Sequence, residues 1–335
     1  MAHIVILGSG GFGVALAVTA CSCGHQVSVW SPFAPEIETL RADREHKKLL
    51  PGIAIQPEIE LGTDIAVAEK ADLLLFAVPS HAIRQTAQRV AGHIAPHCTI
   101  ASVAKGVEDE SFLRLSQVIE QELPQNPVVV LSGPSHAEEV ARGVPTSLVA
   151  ASKSGQAAEY VQELLMGPNL RIYLNDDLVG VELGGALKNV IALAAGISDG
   201  MGLGDNTKAA LMTRGLSEIA RLGVKMGGRI DTFAGLTGVG DLIVTCTSMH
   251  SRNRRCGLLI GAGTPAEQAV QEIGMTVEGY RSTLVAYHLS QKMGVEMPIT
   301  EQMYRVLYEG EDCKKAIANL MTRPKKDETE QVWFH

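Results

Sequence analysis

The chain has 335 residues, of which 46% are hydrophobic and 20% are charged. This composition excludes a largely disordered chain, and the length allows two domains with sizeable cores. A formal net charge of −8 and an aromatic content of 4% argue against a nucleic-acid-binding protein, which needs a basic surface and side chains that stack on bases.

The N-terminal segment and the cysteines indicate a protein of a reducing compartment. Apolar residues begin at Ile4 with no basic stretch before them, which argues against a signal peptide. The most apolar long segment, 183–198, contains Lys188 and three glycines and is too short and broken to span a bilayer. The six cysteines show no CxxC spacing, and the histidines and acids form no metal-ligand pattern. We therefore expect free thiols, no bound metal and a cytoplasmic location.

The first half of the chain alternates short β-branched runs with helical segments, which is typical of a parallel sheet covered by helices on both faces. Strands are predicted at residues 3–7, 26–30, 73–78, 99–103, 128–132, 147–151 and 171–174. Helices are predicted at residues 11–23, 36–44, 65–70, 82–91, 112–121, 137–142 and 155–166. This pattern predicts an α/β domain of the Rossmann type with a doubly wound, mostly parallel sheet.

The pattern changes after about Asp176, where helical segments follow one another without a convincing strand. These helices are predicted at residues 181–197, 206–226, 232–234, 252–261, 265–273, 277–292, 299–309 and 313–320. We expect two domains, with residues 1–178 forming the α/β domain and residues 179–335 forming an all-helical domain.

A glycine-rich turn directly follows the first predicted strand. Gly8, Gly10 and Gly13 form a Gly-x-Gly-x-x-Gly pattern at the start of the first helix. The first glycine permits a tight turn, the second lets the backbone approach a pyrophosphate, and the third allows close packing of helix and strand. The helix N-terminus adds free N–H groups and a favourable dipole. Because strand, turn and helix occur in the required order, the motif predicts dinucleotide binding rather than a merely structural turn.

The end of the second strand bears on the choice of dinucleotide. A site selective for NAD usually offers an acid there to the ribose hydroxyls, but residues 30–32 are Trp, Ser and Pro. The nearby basic residues can neutralise a 2′-phosphate, although they also fit a solvated loop; they are Arg41, Arg44, Lys47 and Lys48. We therefore expect NADPH or NADH as cofactor, with NADPH favoured.

Further candidates follow the fourth and fifth predicted strands, since ligands of open α/β sheets bind at strand ends. Lys105 follows the fourth strand and brings a cation there, although an ordinary surface lysine has the same pattern. Gly133 and Ser135 follow the fifth strand and offer backbone N–H groups and a hydroxyl. We expect all three residues to contact a ligand.

Lys188 is the only charged residue between positions 183 and 198, on a helix of small and aliphatic residues. A lysine on such a helix either extends its amine to the surface or stays desolvated in a cleft. Desolvation lowers the pKa of the ammonium and makes it a proton donor near neutral pH. The adjacent Asn189 suits a buried polar cleft, which favours a catalytic role for both residues.

A glycine-containing segment at residues 236–245 carries Asp241 and Thr245. Asp241 follows the glycines directly, so its carboxylate can orient Lys188 or bind a substrate hydroxyl. We include Asp241 and Thr245 in the expected catalytic group.

Ser251, Arg252 and Asn253 begin a later helix. Backbone N–H groups and a guanidinium at such a position can hold a phosphate. A solvated basic helix face is the alternative interpretation. The cluster supplies the local cationic pocket that an anionic ligand needs in an acidic protein.

Taken together, these motifs resemble those of the bacterial NAD(P)-dependent glycerol-3-phosphate dehydrogenase family, over residues 4 to about 326. The matching blocks occur in order at residues 8–13, 104–106, 133–135, 183–189, 202–211, 238–242, 251–255 and 277–279. Several ordered motifs at family-like spacing are far more specific than a glycine turn alone.

The resemblance implies a role for each matching residue, with Lys188 as the proton donor and acceptor. Substrate-contacting positions are matched by Lys105, Gly133, Ser135, Lys188, Asp241, Ser251, Arg252 and Asn253. Cofactor-contacting positions are matched by Gly11, Phe12, Lys105, Ala137, Arg252, Thr276 and Glu278. Two positions depart from the family. Gly11 stands where members commonly have serine, and Pro32 stands where many have a basic residue or histidine, which weakens the NADPH preference.

By this resemblance, the expected reaction is the reversible NAD(P)H-dependent reduction of dihydroxyacetone phosphate to sn-glycerol 3-phosphate, which supplies glycerophospholipid synthesis. A homodimer without membrane insertion is implied as well. One alternative is another two-domain dehydrogenase of the 2-hydroxyacid type, which would favour a carboxylate-binding arginine. The other is a non-catalytic dinucleotide-binding regulator, which needs no desolvated proton donor.

Overall fold

The computed structural model describes residues 1–325, 327, 328 and 333. They divide into two compact units. The first combines Met1–Ala104 with Leu113–Leu178, and the second combines Lys105–Phe112 with the chain from Val179 onward. The short segment after the fourth predicted strand therefore belongs with the helical part of the chain, although the sequence pattern assigns it to the α/β part.

The first unit contains an eight-stranded sheet whose spatial order is β3-β2-β1-β4-β5-β6-β7-β8. The strands are β1 (His3–Leu7), β2 (Gln26–Trp30), β3 (Glu60–Gly62), β4 (Leu73–Phe76), β5 (Thr99–Ser102), β6 (Val128–Ser132), β7 (Thr146–Ser152) and β8 (Leu170–Asn175). Neighbouring strands from β3 to β6 pair in parallel, β7 pairs antiparallel with β6, and β8 pairs in parallel with β7. The strand order reverses at β1, and ligands of such sheets bind beyond the carboxyl ends of the strands at this point.

Helices cover both faces of the sheet. They are α1 (Gly11–Ser22), α2 (Ala34–Asp43), α3 (Ile83–Val90), α4 (Leu115–Glu122), α5 (Ala137–Ala141) and α6 (Gly155–Leu165). Successive strand residues point to opposite faces, so Ile4 and Ile6 pack with α1, α2 and α6 in one core, whereas Val5 and Leu7 pack with α3 and α4 in the other. The prediction of a doubly wound, mostly parallel sheet is confirmed.

The sequence pattern fails mainly where elements are short or locally distorted. β3 was not predicted, because three residues with a single large apolar side chain give no periodic signal. Residues 65–70, predicted as a helix, form a 3₁₀ helix whose first turn is capped by Asp64. α4 begins at Leu115 rather than at residue 112, because Phe112 has a φ of 59° and Arg114 and Gln117 form a capping box.

Apart from the irregular segment Lys105–Phe112, the regular elements of the second unit are helices over its described residues. Its helices are α7 (Leu178–Gly200), α8 (Gly204–Lys225), α9 (Ile230–Phe233), α10 (Asp241–Thr247), α11 (Arg252–Gly261), α12 (Ala266–Ile273), α13 (Glu278–Met293), α14 (Pro298–Tyr308) and α15 (Cys313–Met321). A π-helical turn, Leu236–Gly240, precedes α10. α7 is long and apolar enough to cross a bilayer, but 94% of its most apolar 18-residue window is buried inside the protein, as in a core helix.

Glycines allow α7 and α11 to pack with their backbones in contact. A Cβ atom on Gly257 of α11 would lie 2.1 Å from the carbonyl oxygen of Leu193, and one on Gly196 of α7 would lie 2.1 Å from that of Arg254. Both neighbours are backbone atoms, which cannot move aside as a flexible side chain can. The pairing of these two helices therefore depends on the absence of side chains at these positions.

Replacing Gly257 with alanine is expected to lower the free energy of unfolding by about 1–3 kcal/mol, because the new methyl group forces α7 and α11 apart. Chemical denaturation followed by circular dichroism measures this change. The matched control is Gly155→Ala at the exposed start of α6, where a Cβ atom meets no atom within 4 Å. An equal effect of the two substitutions would contradict the packing argument.

Candidate active site

The glycine-rich turn of the first unit has the geometry of a phosphate-binding turn. Gly8 has a φ of +123° and no room for a side chain, since a Cβ atom would lie 2.7 Å from the carbonyl oxygen of Ala77. A Cβ atom on Gly13 would lie 2.1 Å from the carbonyl oxygen of Gly8, so α1 can begin against the end of β1 only with glycine there.

The start of α1 is open to an anion. Gly10 provides no side-chain cap, the first turn contains no acidic residue, and a Cβ atom on Gly10 would meet nothing within 4 Å. The N–H groups of a first helical turn have no partner within the helix, and together with the helix dipole they favour a negatively charged ligand. These residues fit the pyrophosphate of a dinucleotide.

Gly11 and Phe12 form the first turn of α1. A Cβ atom on Gly11 would lie 3.3 Å from Cβ of Leu49, so the segment after α2 closely approaches the helix start. Gly11, which stands where the family commonly has serine, is therefore in tight contact with this segment. The Phe12 side chain packs against the core on the α1 face of the sheet.

The predicted residues after β6 lie in the same unit as the glycine-rich turn. Gly133 has a φ of +131°, and the Ser135 hydroxyl donates a hydrogen bond to its carbonyl oxygen at 3.0 Å. Ala137 is the first residue of α5. The structure thus places Gly133 and Ser135 directly after β6, as predicted, and Ala137 at the start of the following helix.

Lys188 lies near the middle of α7 and is only 5% exposed. Its ammonium donates hydrogen bonds to Oδ1 of Asp241 and, at 2.6 Å, to the hydroxyl of Thr245. Asp241 begins α10, and Thr245 lies one turn later on the same face of that helix. The structure therefore shows the desolvated arrangement of Lys188 rather than the surface-directed one.

The glycines of the π-helical turn bring α10 to α7. A Cβ atom on Gly184 of α7 would lie 2.7 Å from the carbonyl oxygen of Thr237, so this turn passes directly over the helix backbone. As a result, Asp241 comes to lie beside Lys188. Asp241 is itself only 1% exposed.

Lys105 reaches the same carboxylate, because Nζ donates to Oδ2 of Asp241 at 2.7 Å. Two anchors hold the segment Lys105–Phe112 on the helical unit: Asp109 pairs with Arg281 of α13, and Nζ of Lys292 lies 5.5 Å from the ring centroid of Phe112. One buried carboxylate is therefore shared by two lysines from distant parts of the chain.

Burial and neighbouring charges set the protonation of this cluster. The pKa of Lys188 is lowered from 10.5 to about 7: burial is the largest cause and the ammonium of Lys105 adds to it, while Asp241 opposes both effects. For Asp241, burial favours a higher pKa, but the ammonium groups of Lys105 and Lys188 outweigh it and hold the pKa below its ordinary value. The cluster thus joins a stable carboxylate to an amine that exchanges a proton near neutral pH.

Asn189 and Asn253 face each other rather than the lysines. Nδ2 of Asn253 donates to Oδ1 of Asn189 at 2.9 Å, and Oδ1 of Asn253 accepts from the backbone N–H of Gly279 at 2.8 Å. Both asparagines are buried. This network fixes the starts of α11 and α13 against α7, so the contacts of Asn189 do not include the proton-transfer group to which it was assigned.

At the start of α11, Ser251 and Arg254 make contacts within the protein, whereas Arg252 is exposed. The hydroxyl of Ser251 caps the helix by accepting from the N–H of Arg254 at 3.2 Å. The Arg254 guanidinium pairs with Asp199 of α7 at 2.7 Å. Arg252 is exposed at the first position of the helix. Arg252 is therefore the cation of this cluster best placed to meet a ligand.

Thr276 and Glu278 lie at the start of α13 and are partly buried. The contact between Gly279 and Asn253 joins the starts of α13 and α11. Because Asn253 directly follows Arg252, the two predicted cofactor-contacting residues lie near Arg252.

The predicted 2′-phosphate cations are largely engaged within the first unit. Nε of Arg41 donates to the carbonyl oxygen of Leu61 at 2.8 Å, Arg44 donates to that of Ile59 at 2.9 Å, and Lys47 pairs with Asp43 at 2.8 Å. The structure therefore gives the NADPH preference no support from these three residues.

A cavity of about 1390 Å³ lies elsewhere in the helical unit, among α7, α8, α14 and α15. It is lined mostly by apolar residues and contains none of the predicted site residues. Within the described residues, no group of three or more His, Cys, Asp or Glu side chains can hold a metal ion.

Comparison with known proteins agrees with this geometry. Residues 3–158 match the family model of the NAD-dependent glycerol-3-phosphate dehydrogenase N-terminus, and residues 177–318 match that of the C-terminus. A glycerol-3-phosphate dehydrogenase [NAD(P)+] of Desulfitobacterium hafniense is 53% identical over 332 residues, which cover 99% of this chain and 94% of that protein. One of Clostridium perfringens is 52% identical over 329 residues, covering 98% of this chain and 99% of the relative.

The solved structures lead to the same family. The crystal structure of glycerol-3-phosphate dehydrogenase from Coxiella burnetii superposes with a TM-score of 0.93 at 40% identity, covering 96% of this chain and 99% of that one. These matches support the resemblance drawn from the motifs and neither of the two alternatives. The chain belongs to the NAD-dependent glycerol-3-phosphate dehydrogenase family.

Proposed function

We propose that this enzyme catalyses the reversible reduction of dihydroxyacetone phosphate to glycerol 3-phosphate with NADH or NADPH. The observation that carries this proposal is the buried amine of Lys188, held between Asp241 and Thr245 with its pKa near neutrality. Reduction of a ketone to a secondary alcohol adds one hydride to carbon and one proton to oxygen. When bound, the reduced nicotinamide supplies the hydride.

Lys188 supplies the proton from Nζ to the carbonyl oxygen and recovers one in the reverse reaction. Thr245 and Asp241 hold Nζ in place. Asp241 also raises the pKa of Lys188, so that the protonated form is available to act as an acid. Lys105 shares the carboxylate and adds positive charge where the oxygen becomes negative. We assign Asn189 to positioning, because its side chain contacts Asn253.

We assign the remaining contacts as follows. Arg252 binds the substrate phosphate, and Ser251 and Asn253 fix the helix start that presents it. Gly133 and Ser135 are further substrate contacts. The cofactor contacts are Gly8, Gly10, Gly11, Phe12, Gly13, Lys105, Ala137, Arg252, Thr276 and Glu278. We propose that the enzyme acts as a homodimer in the cytoplasm without inserting into a membrane. The unpaired state of all six cysteines is consistent with a reducing compartment.

The purified enzyme is expected to oxidise NADH or NADPH with dihydroxyacetone phosphate far faster than with dihydroxyacetone. Arg252→Ala is expected to raise KM for dihydroxyacetone phosphate about 10- to 100-fold, since a hydrogen-bonded charge pair with the phosphate is lost. Its activity on dihydroxyacetone, which has no phosphate to lose, should fall much less, so the preference for the phosphorylated ketone should shrink. Initial rates with both ketones measure the discrimination.

Lys314→Ala is the matched control, because it removes an exposed cation from α15. A wild-type enzyme that reduces neither ketone would overturn the proposed function. An Arg252→Ala variant that keeps the full preference for the phosphorylated ketone would place the phosphate elsewhere.

A further inference from the structure

A carboxylate lies at the end of β2 in the first unit, although no acid occurs in the sequence directly after that strand. Glu36 belongs to the first turn of α2, and its Oε2 accepts a hydrogen bond from the hydroxyl of Ser31 at 3.4 Å. Ser31 directly follows β2 and is buried. The first turn of α2 therefore places an acid at the end of β2, although residues 30–32 contain none.

The ring of His46 lies beside the Glu36 carboxylate. Nε2 of His46 lies 3.6 Å from Oε1 of Glu36, and Nδ1 accepts from the backbone N–H of Leu49 at 3.4 Å, which places the ring proton on Nε2. This Nε2 is buried and has no hydrogen-bond partner within 3.5 Å among the described residues, so the Glu36 carboxylate at 3.6 Å lies just beyond that distance. Glu36 therefore faces the ring nitrogen of His46 that carries the proton.

Glu36 is also placed against the glycine-rich turn and stays charged. The approach of the His46 ring lowers the pKa of Glu36, burial opposes this, and the hydroxyls of Ser9 and Ser31 lower it further. Ser9 lies between Gly8 and Gly10 of the glycine-rich turn. A permanent negative charge thus lies between the pyrophosphate turn and the end of β2, which is where dinucleotide folds bind the adenosine ribose.

Three of the basic residues after β2 have described contacts away from Glu36. Arg41 and Arg44 donate to backbone carbonyls of residues 56–61, and Lys47 pairs with Asp43. A 2′-phosphate would bring about two negative charges next to Glu36, whereas a free 2′-hydroxyl can donate a hydrogen bond to it. Glu36 repels the 2′-phosphate of NADPH and attracts the 2′-hydroxyl of NADH, so both effects favour NADH.

We propose that Glu36, with Ser31, binds the adenosine ribose 2′-hydroxyl and makes this enzyme selective for NADH over NADPH. The proposal rests on the proposed function, since it takes the dinucleotide to bind at the turn of residues 8–13. It replaces the NADPH preference expected from the basic residues after β2. Glu36 is a specificity-determining residue and takes no part in proton transfer.

Isothermal titration calorimetry of the full-length enzyme with NADH, NADPH and 2′-deoxy-NADH tests the proposal without turnover. The wild-type enzyme is expected to bind NADH about tenfold or more tightly than either of the other two. Glu36→Gln keeps the shape of the side chain and removes its charge, so its affinities for NADH and NADPH should come within about threefold of each other. The matched control is Glu38→Gln, an exposed glutamate on the same helix, which should leave both affinities unchanged.

Two results would overturn the proposal: wild-type enzyme that binds NADPH as tightly as NADH, or a ratio of the two affinities that Glu36→Gln leaves unchanged. If the variant fails to fold, the wild-type measurements still decide, because equal affinities for NADH and 2′-deoxy-NADH exclude a contact with the 2′-hydroxyl. Turnover of dihydroxyacetone phosphate with NADPH would uphold the proposed function even where the selectivity fails.

Discussion

Replacing Lys188 with alanine is expected to lower kcat about 10²- to 10⁴-fold while binding of the dinucleotide is retained. The reason is chemical: hydride transfer to a ketone leaves a negative oxygen, and Lys188 is the buried acid held in place by Asp241 and Thr245. The glycine-rich turn belongs to the other unit and is untouched by the substitution. Steady-state rates in both directions, together with calorimetric titration of NADH, measure the two effects separately.

The pH dependence of the wild-type enzyme follows from the pKa of Lys188 near 7. Reduction requires the ammonium form, which predominates below this pKa, so the rate of reduction should fall as the pH rises through about 7. Oxidation requires the free amine, so its rate should fall as the pH drops through the same value. Both limbs should disappear from the residual activity of Lys188→Ala.

Two further measurements separate proton transfer from a structural role. Small primary amines added to Lys188→Ala should restore part of the rate, because they can occupy the space and carry the proton. Lys188→Arg keeps the positive charge, but a guanidinium does not release its proton near neutral pH, so we expect it to be as inactive as the alanine variant. Near-normal turnover of either variant would exclude Lys188 as the acid.

The parts of the fold that follow from local chemistry were predictable from the sequence. The apolar run at residues 4–7 is buried on both faces, as a central parallel strand requires. The glycines at 8 and 13 occur where backbone atoms leave no space for a Cβ atom. In both cases the constraint acts within a few residues or between neighbouring elements, so the sequence pattern records it directly.

The partners of Lys188 could be anticipated only in part. A lone charge on an aliphatic helix is a local signal, and it correctly pointed to a buried amine. Asp241, however, lies 53 residues later. Asp241 reaches Lys188 because a π-helical turn and the short helix α10 place it there. The glycines and β-branched residues of this segment give it the sequence pattern of a loop rather than of a helix. The sequence therefore suggested that Asp241 orients Lys188 without supplying the geometry that shows it.

Two further features were not predicted from the sequence. The segment Lys105–Phe112 joins the helical unit through contacts such as that of Asp109 with Arg281, which lies 172 residues away. The carboxylate of Glu36 at the end of β2 was not predicted, because the residues directly after that strand contain no acid. The available signal was the spacing: Glu36 lies 23 residues after Gly13, close to the roughly 20 at which dinucleotide folds place this acid.

Asp241→Asn is expected to shift the pH profile as well as lower the rate, because the carboxylate is what opposes the loss of the proton from Lys188. Without it, burial and the ammonium of Lys105 act unopposed, and the pKa of Lys188 should fall by roughly one to two units. The ammonium fraction at pH 7, and with it the rate of reduction, should then decrease about 5- to 50-fold. Lowering the pH should recover part of the lost rate of reduction. Initial rates measured from pH 5 to pH 9 test this.

The matched control is Asp205→Asn, which removes a fully exposed carboxylate that lies 3.8 Å from Lys208 on α8. It should leave the rate and the pH profile unchanged. If Asp241→Asn loses activity equally at every pH, Asp241 serves only to hold the lysines in place. The direction of the shift is the sharper criterion, because a distorted or partly unfolded site lowers the rate at every pH, whereas only a change in the charge around Lys188 moves the reduction and oxidation limbs together towards lower pH.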